Sequence, residues 1–294
     1  MKEFFVRPGD NLQAVFDIAQ PGAVIRLAAG TYRQKCIIRT QGLNIEGEQD
    51  SVLVWDDYAK KKDADGHEYN TFRTWTLAVC ADGVSMRNLC VVNDALCPET
   101  KGQEVALSVY GDRFTMENCV LRSTQDTLFL GPLSPDLIVR YQGFLPDELR
   151  LNRFLSQRFV NCRIEGTVDF IFGCGDAVFQ DCEIRSLRDA RNIGFTAAPA
   201  HSLSQTAGFL FRSCRFTAED GVQGIYLARP WRDYGLARFE NCSYGGHIAR
   251  TGFDKWEGTD RDKTARFFET PRGIPFPYIL KSVRQGCRIF FRYI

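Results

Sequence analysis

The chain has 294 residues, 44% apolar and 25% charged, the balance of a soluble globular protein large enough for one extended core. Its 37 Lys and Arg against 36 Asp and Glu leave a net charge of +1, so no global field marks a nucleic-acid or membrane-surface partner. No stretch approaches the roughly 18 consecutive apolar residues of a membrane-spanning helix.

The first element, in MKEFFVRPGDNLQAVF and beyond, is a short amphipathic helix from Asn11 to Ala19, with Asp10 as its N-cap. Leu12, Val15, Phe16 and Ala19 share one face. This N-terminal stretch lacks the apolar run of an export signal, which favours a cytoplasmic protein. The run Lys60-Lys61-Lys62 reads as a solvated loop. The 11 cysteines form no C-x-x-C pair, which argues against a structural zinc cluster. Most lie between hydrophobic residues and read as reduced, buried thiols.

Those cysteines belong to a repeat. An apolar residue, any residue, Asn/Asp/Ser and Cys recur at MENCVL (116–121), FVNCRI (159–164), FQDCEI (179–184), FRSCRF (211–216) and FENCSY (239–244). MRNLC (86–90) is a looser relative. Each unit suits a short strand, and Asn, Asp and Gly punctuate the units as turns. Short strands, scarce helices and a coil-sized repeat predict an all-β solenoid, a parallel β-helix in one domain. A β-sandwich or propeller is the alternative. Between repeats, 131–152 (GPLSPDLIVRYQGFLPDELRLN) carries three prolines and reads as a loop excursion.

Three histidines, His67, His201 and His247, fall in no evident ligand cluster and read as surface or packed residues. Neither G-x-S-x-G nor H-E-x-x-H occurs. Hydrolytic chemistry therefore falls to carboxylates. Asp126 in STQDTLFLG and Asp169 in GTVDFIFGCG stand against apolar strand-like segments, where an acid needs a specific reason to be. A solenoid brings them onto adjacent coils, where environment can split two carboxyls into an ionised and a protonated partner. Gln103 precedes Gln125 by one coil, and stacked amides could donate to a developing oxyanion, or simply form a polar ladder. In GIYLARPWRDYG, Arg229 could lower the pKa of Asp169, and Trp231 offers a flat face for a sugar ring; an Arg-Pro-Trp packing corner is the plainer reading.

The stretches GQEVALSVYGDRF, STQDTLFLG, IEGTVDFIFGCGDAVFQDCEI and YLARPW resemble, in order, the motif segments of pectin methylesterases, a carbohydrate esterase family. The likeness begins with GTYRQKCIIR and LNIEGE and extends to about Trp256. It implies a right-handed parallel β-helix and hydrolysis of galacturonate methyl esters without metal or cofactor. By matching position, Asp169 would be the nucleophile and Asp126 the acid and then the base. Gln125 and Gln103 would form the oxyanion hole, and Arg229 would hold Asp169. Trp231, with Phe172 and Gln157, would bind substrate. The implied partner is methyl-esterified pectin or oligogalacturonides, with no nucleic acid or membrane, and a monomer is a plausible state. An esterase or thioesterase of the same fold, a β-helix glycosidase or lyase, and a non-catalytic carbohydrate binder are the rival readings.

Overall fold

The computed structural model describes residues 2–143, 145–150 and 153–270, with the backbone of a two-stranded ribbon, Ile279–Leu280 against Phe290–Phe291. Cys287 lies outside the described residues. Among the described residues, three parallel sheets of ten, seven and eight strands run along the chain. Successive strands go one to each sheet. Phe114–Glu117, Val120–Arg122 and Leu128–Leu130 make one coil, and Ser156–Val160, Arg163–Gly166 and Val168–Gly173 pair beneath them in the next. This is the expected parallel β-helix.

The sequence repeat marks one corner of each coil. Asn118, Asn161, Asp181, Ser213 and Asn241 all take left-handed backbone angles, φ between +49° and +56°. Asn and Asp tolerate that region best among residues with a side chain. The corner turns the following cysteine inward. Cys162, Cys182 and Cys214 each donate Sγ–H to a backbone carbonyl of the preceding coil, at 3.4, 3.6 and 3.3 Å. Two residues before each corner, Phe159, Phe179, Phe211 and Phe239 stack face to face with centroids 4.6–5.0 Å apart. Equivalent residues thus form continuous internal ladders, each ring buried by the coils on either side.

The N-terminal helix runs from Leu12 to Ile18 and buries Leu12 and Phe16. Its cap is Asn11, not Asp10: the Asn11 side chain accepts from the Ala14 N–H, while Asp10 turns back to accept from the Arg7 N–H. The lysine run is only partly solvated, since Lys61 pairs at 2.5 Å with the buried Asp57.

The excursion is more than a loop. It holds a helix, Pro135–Arg140, and a 3-10 turn, Asp147–Arg150. Leu133, Leu137, Leu145 and Leu149 press onto the outer face of the seven-stranded sheet, covering Ala78, Phe129, Phe172 and Ala198. That sheet is therefore buried on both sides. Its strands read as continuous apolar runs rather than alternating ones for this reason, and an acid placed among them must be accommodated.

Candidate active site

Strand Val168–Gly173 is buried along its whole length and carries an irregularity at its start. Val168 pairs with Phe195 and Ile171 with Ala197, so one extra residue is accommodated in a bulge. Phe170 and Ile171 both enter the core, and Asp169, at φ +50°, faces the opposite side. Gly166 makes this possible, because a Cβ there would lie 2.3 Å from that of Phe170. Asp126 precedes its own strand with φ +67°. Its N–H donates to the Val168 carbonyl at 3.0 Å, which sets the two aspartates side by side on adjacent coils.

Both open into a cleft of about 440 Å³ on the outer face of the seven-stranded sheet. Gln103, Gln125, Phe172, Arg229 and Trp231 line it with them, so seven of the eight expected site residues converge. Arg229 follows strand Tyr226–Ala228 and grips Asp169 with two bonds, Nε to Oδ1 at 2.8 Å and Nη2 to Oδ2 at 2.6 Å. Its guanidinium lies between the rings of Phe195 and Trp256, 3.7 and 4.1 Å from their centroids. The fork is held planar and fixed, the geometry of a strong bidentate pair.

Burial and charge then divide the two carboxyls. Burial pushes Asp126 well above the usual carboxylate range, and the neighbouring Asp169 charge pushes it further; Arg229 and Gln125 only partly oppose this. Asp169 is also raised by burial, against the pull of Arg229. Arg229 thus lowers Asp169 as expected, but desolvation outweighs the ion pair and the net shift is upward. The two still differ: Asp126 is pushed up by burial and by the Asp169 charge, and Asp169 is the one paired to a cation.

Trp231 stands edge-on to Phe172 at 5.7 Å, and Phe172 rests in turn on Phe129 at 5.0 Å. The expected substrate residue Phe172 is therefore floor and support beneath the tryptophan. Gln157 does not belong to the cleft. It alternates inward on strand Ser156–Val160, is 3% exposed, and reaches toward the Gly131 carbonyl beneath Gly175.

Arg191 was not foreseen from the sequence. It is clamped to the buried Asp189 by bonds of 2.8 and 2.7 Å and donates Nη2–H to Gln125 Oε1 at 3.1 Å. That contact fixes which end of the Gln125 amide is the oxygen. The available signal was a D-x-R pair, Asp189 and Arg191, in a polar loop. Trp256, Tyr141 and Asn70 also line the cleft unannounced.

His201 is buried, donating Nε2–H to the Gly175 carbonyl at 2.9 Å while Nδ1 accepts from the Leu236 N–H. Burial lowers its pKa to about 4. His247 is buried as well. His67, by contrast, does sit in a cluster, with Asp63 and Asp65 at the tip of an exposed turn. Asp63 there accepts from two backbone N–H groups and pairs with Arg73 at 3.2 Å, and the turn lines no part of the cleft.

A family model described as pectinesterase matches residues 8–132 and 149–272. The chain is 30% identical over 258 residues to pectinesterase QRT1 of Arabidopsis thaliana, covering 83% of this chain and 60% of that protein. It is 30% identical to a pectinesterase/pectinesterase inhibitor of Solanum lycopersicum, covering 80% of this chain but 37% of that one. It thus spans less than two thirds of the length of these curated relatives. A crystal structure of pectin methylesterase in complex with a hexasaccharide superposes with a TM-score of 0.75 at 26% identity, over 88% of this chain and 83% of that one. The pectin methylesterase from carrot gives 0.73 at 25% identity, over 89% and 78%. The chain belongs to the pectinesterase family.

Proposed function

We propose that the protein hydrolyses methyl esters of galacturonate residues in pectin-derived chains, releasing methanol and leaving a free carboxylate. The observation that carries this reading is the pair of unlike carboxyls: Asp169 locked to Arg229, beside a buried Asp126 that burial pushes well above the ordinary carboxylate range. An Asp169 oxygen attacks the ester carbonyl carbon. The carbonyl electrons move onto oxygen, where the Gln103 and Gln125 amides stabilise the negative charge. Arg191 accepts no part of that charge but keeps the Gln125 N–H pointing outward by holding its oxygen. As the tetrahedral centre collapses, the bond to the methoxy oxygen breaks, and Asp126 gives its proton to form methanol.

The acyl group is then an anhydride on Asp169. Asp126, now a carboxylate, removes a proton from water as that water attacks the acyl carbon. Cleavage of the acyl–Asp169 bond restores Asp169 as carboxylate and Asp126 as acid, so protons balance over the cycle. Every proton in the cycle is handled by the protein's own side chains. Trp231 supplies an apolar face for a sugar ring, and the solved pectin methylesterase with a bound hexasaccharide supports an oligosaccharide chain as ligand.

The test is to incubate the protein with fully methyl-esterified oligogalacturonides and measure methanol and chain length together. Methanol equal to new carboxyl groups, at unchanged chain length, is expected. Chain cleavage without methanol would overturn the reading.

A further inference from the structure

The pectinesterase model stops at residue 132 and resumes at 149, so 133–148 lies outside the match. Yet this segment is built into the cleft, supplying Leu137, Arg140 and Tyr141 to its lining. It is fixed at both ends. Asp136 pairs with Arg232 at 2.6 Å, and Glu148 with Arg39 at 2.6 Å. Between those ties Leu137 and Leu145, and just outside them Leu133 and Leu149, are buried against the sheet. A segment with that much apolar surface removed from water is a standing wall rather than a loose flap.

Its position relative to the aspartates decides what it does. The cleft runs along the outer face of the seven-stranded sheet, across the coils. Trp231 and Trp256 stand on the side of the later coils, while Asn70, Thr71 and Phe72 stand on the side of the earlier ones. On that earlier side the segment meets the opposite wall. The Tyr141 ring lies edge-on to Phe72 at 5.6 Å, and its hydroxyl is 3.5 Å from Asn70 Oδ1. Phe72 is itself seated on Phe129, 5.1 Å away, so the floor and both walls join there. An ester within a long polymer needs a groove open at both ends. A groove closed at one end admits a chain terminus.

We propose that segment 133–148, through Tyr141 meeting Asn70 and Phe72, closes the groove on the side of the earlier coils and restricts the enzyme to methyl esters near one end of a galacturonate chain, hence to short oligomers. This rests on the methylesterase reading of the site. Arg140, exposed at the closed end, presents a cation there, suited to the free carboxylate of an unesterified terminal uronate.

The first experiment uses the unaltered protein. A fully esterified hexagalacturonate is treated to the loss of one methyl group, and tandem mass spectrometry locates the new carboxylate. One fixed position counted from one chain end is expected, and a spread over interior positions would overturn the proposal. Secondly, kcat/KM per ester should be at least about tenfold higher on tri- to hexamers than on highly esterified pectin, the scale of discrimination one blocked subsite gives. Equal values would overturn it. Thirdly, Tyr141→Ala and a variant with 133–148 replaced by a short Gly-Ser linker should move the polymer-to-oligomer ratio toward one, read against each variant's own activity on the trimer. The point substitution keeps the test valid if the linker variant does not fold. An unchanged ratio in a folded variant counts against the proposal. Absence of methanol from every substrate would instead sink the proposed function, so the two failures are distinguishable.

Discussion

Two consecutive strands, the last of one coil and the first of the next, behave oppositely. Asp176–Gln180 alternates cleanly between half-buried and buried residues, and its Phe179 joins the stacked ladder. Val168–Gly173, only a turn earlier, is buried throughout, bulged, and carries an acid at positive φ. The first strand obeys every local rule for a sheet and holds the solenoid together. The second breaks several of them, and it is the one that faces the cleft. Strain and buried charge are concentrated where chemistry needs fixed, unlike carboxyls, and regular coils around them bear the cost.

The contrast can be broken from either side. Asp169→Asn keeps a residue tolerant of the left-handed angle and removes the proposed nucleophile. Methanol release should fall by roughly ten-thousand-fold, while the protein stays folded, the loss of Arg229's charged partner being offset by removal of the desolvated Asp169 charge. Phe179→Ala is the mirror image. It should cost about 3–5 kcal/mol in urea unfolding, with kcat per folded molecule nearly unchanged. A Phe179 variant that lost kcat while folded would erase the distinction between the strands.

Two sharper tests use titration. Glu104, fully buried next to Gln103, is raised to about 7 by burial, and the Thr124 hydroxyl donates to its carboxylate. The unfolded chain ionises this group near its ordinary 4.5 and the folded protein only near 7, so the stability it contributes falls as pH rises through that window. His201 works the other way. Its folded pKa of about 4 lies below the ordinary 6.5, so the unfolded chain binds the extra proton and stability rises with pH between those values. Because Glu269, Asp126 and Asp169 are raised as well and slope the same way as Glu104, the His201 part is read as a difference: the stability of the protein relative to its His201→Gln variant should rise by about 3 kcal/mol from pH 4 to 6.5 in urea unfolding. A constant difference would refute the assignment.

Arg191→Ala has the smallest expected effect, about tenfold in kcat with little change in KM, because the Gln125 amide loses its fixed orientation. Arg191 also lowers the pKa of both aspartates, so both limbs of the kcat/KM profile should move to higher pH in the variant. A purely structural role would leave the limbs where they are.

Much of this molecule could be read before its fold was known, for physical reasons that differ by region. The corners of the solenoid were legible because one left-handed residue per coil selects Asn, Asp or Ser each time. Asp169 was legible because a charge in an apolar run requires explanation. The cover over the outer sheet face was not. Leu133 and Leu137, and Leu145 and Leu149, fall four apart as helical contacts would, but Pro135 and Pro146 among them read as loop. Gln157 was misplaced for a simpler reason: its two-residue spacing from Phe159 already put it on the inward side of the strand. Arg191 acts through Gln125, and a contact 66 positions apart in the chain leaves no local pattern.

The cysteine ladder has a consequence for where such a protein can work. Burial pushes the thiol of Cys119 in the ladder, and those of Cys36 and Cys174 outside it, up to about 12, far from the thiolate form that attacks disulfides and oxidants. Cys162, Cys182 and Cys214 spend their S–H groups on carbonyls of the coil beneath. Sulfur here serves as a spacer of the right volume, shut away from solvent by the coils on either side. A maleimide at neutral pH should label the exposed Cys97 and spare the ladder. The same fold should then hold its shape through a passage from reducing to oxidising solvent.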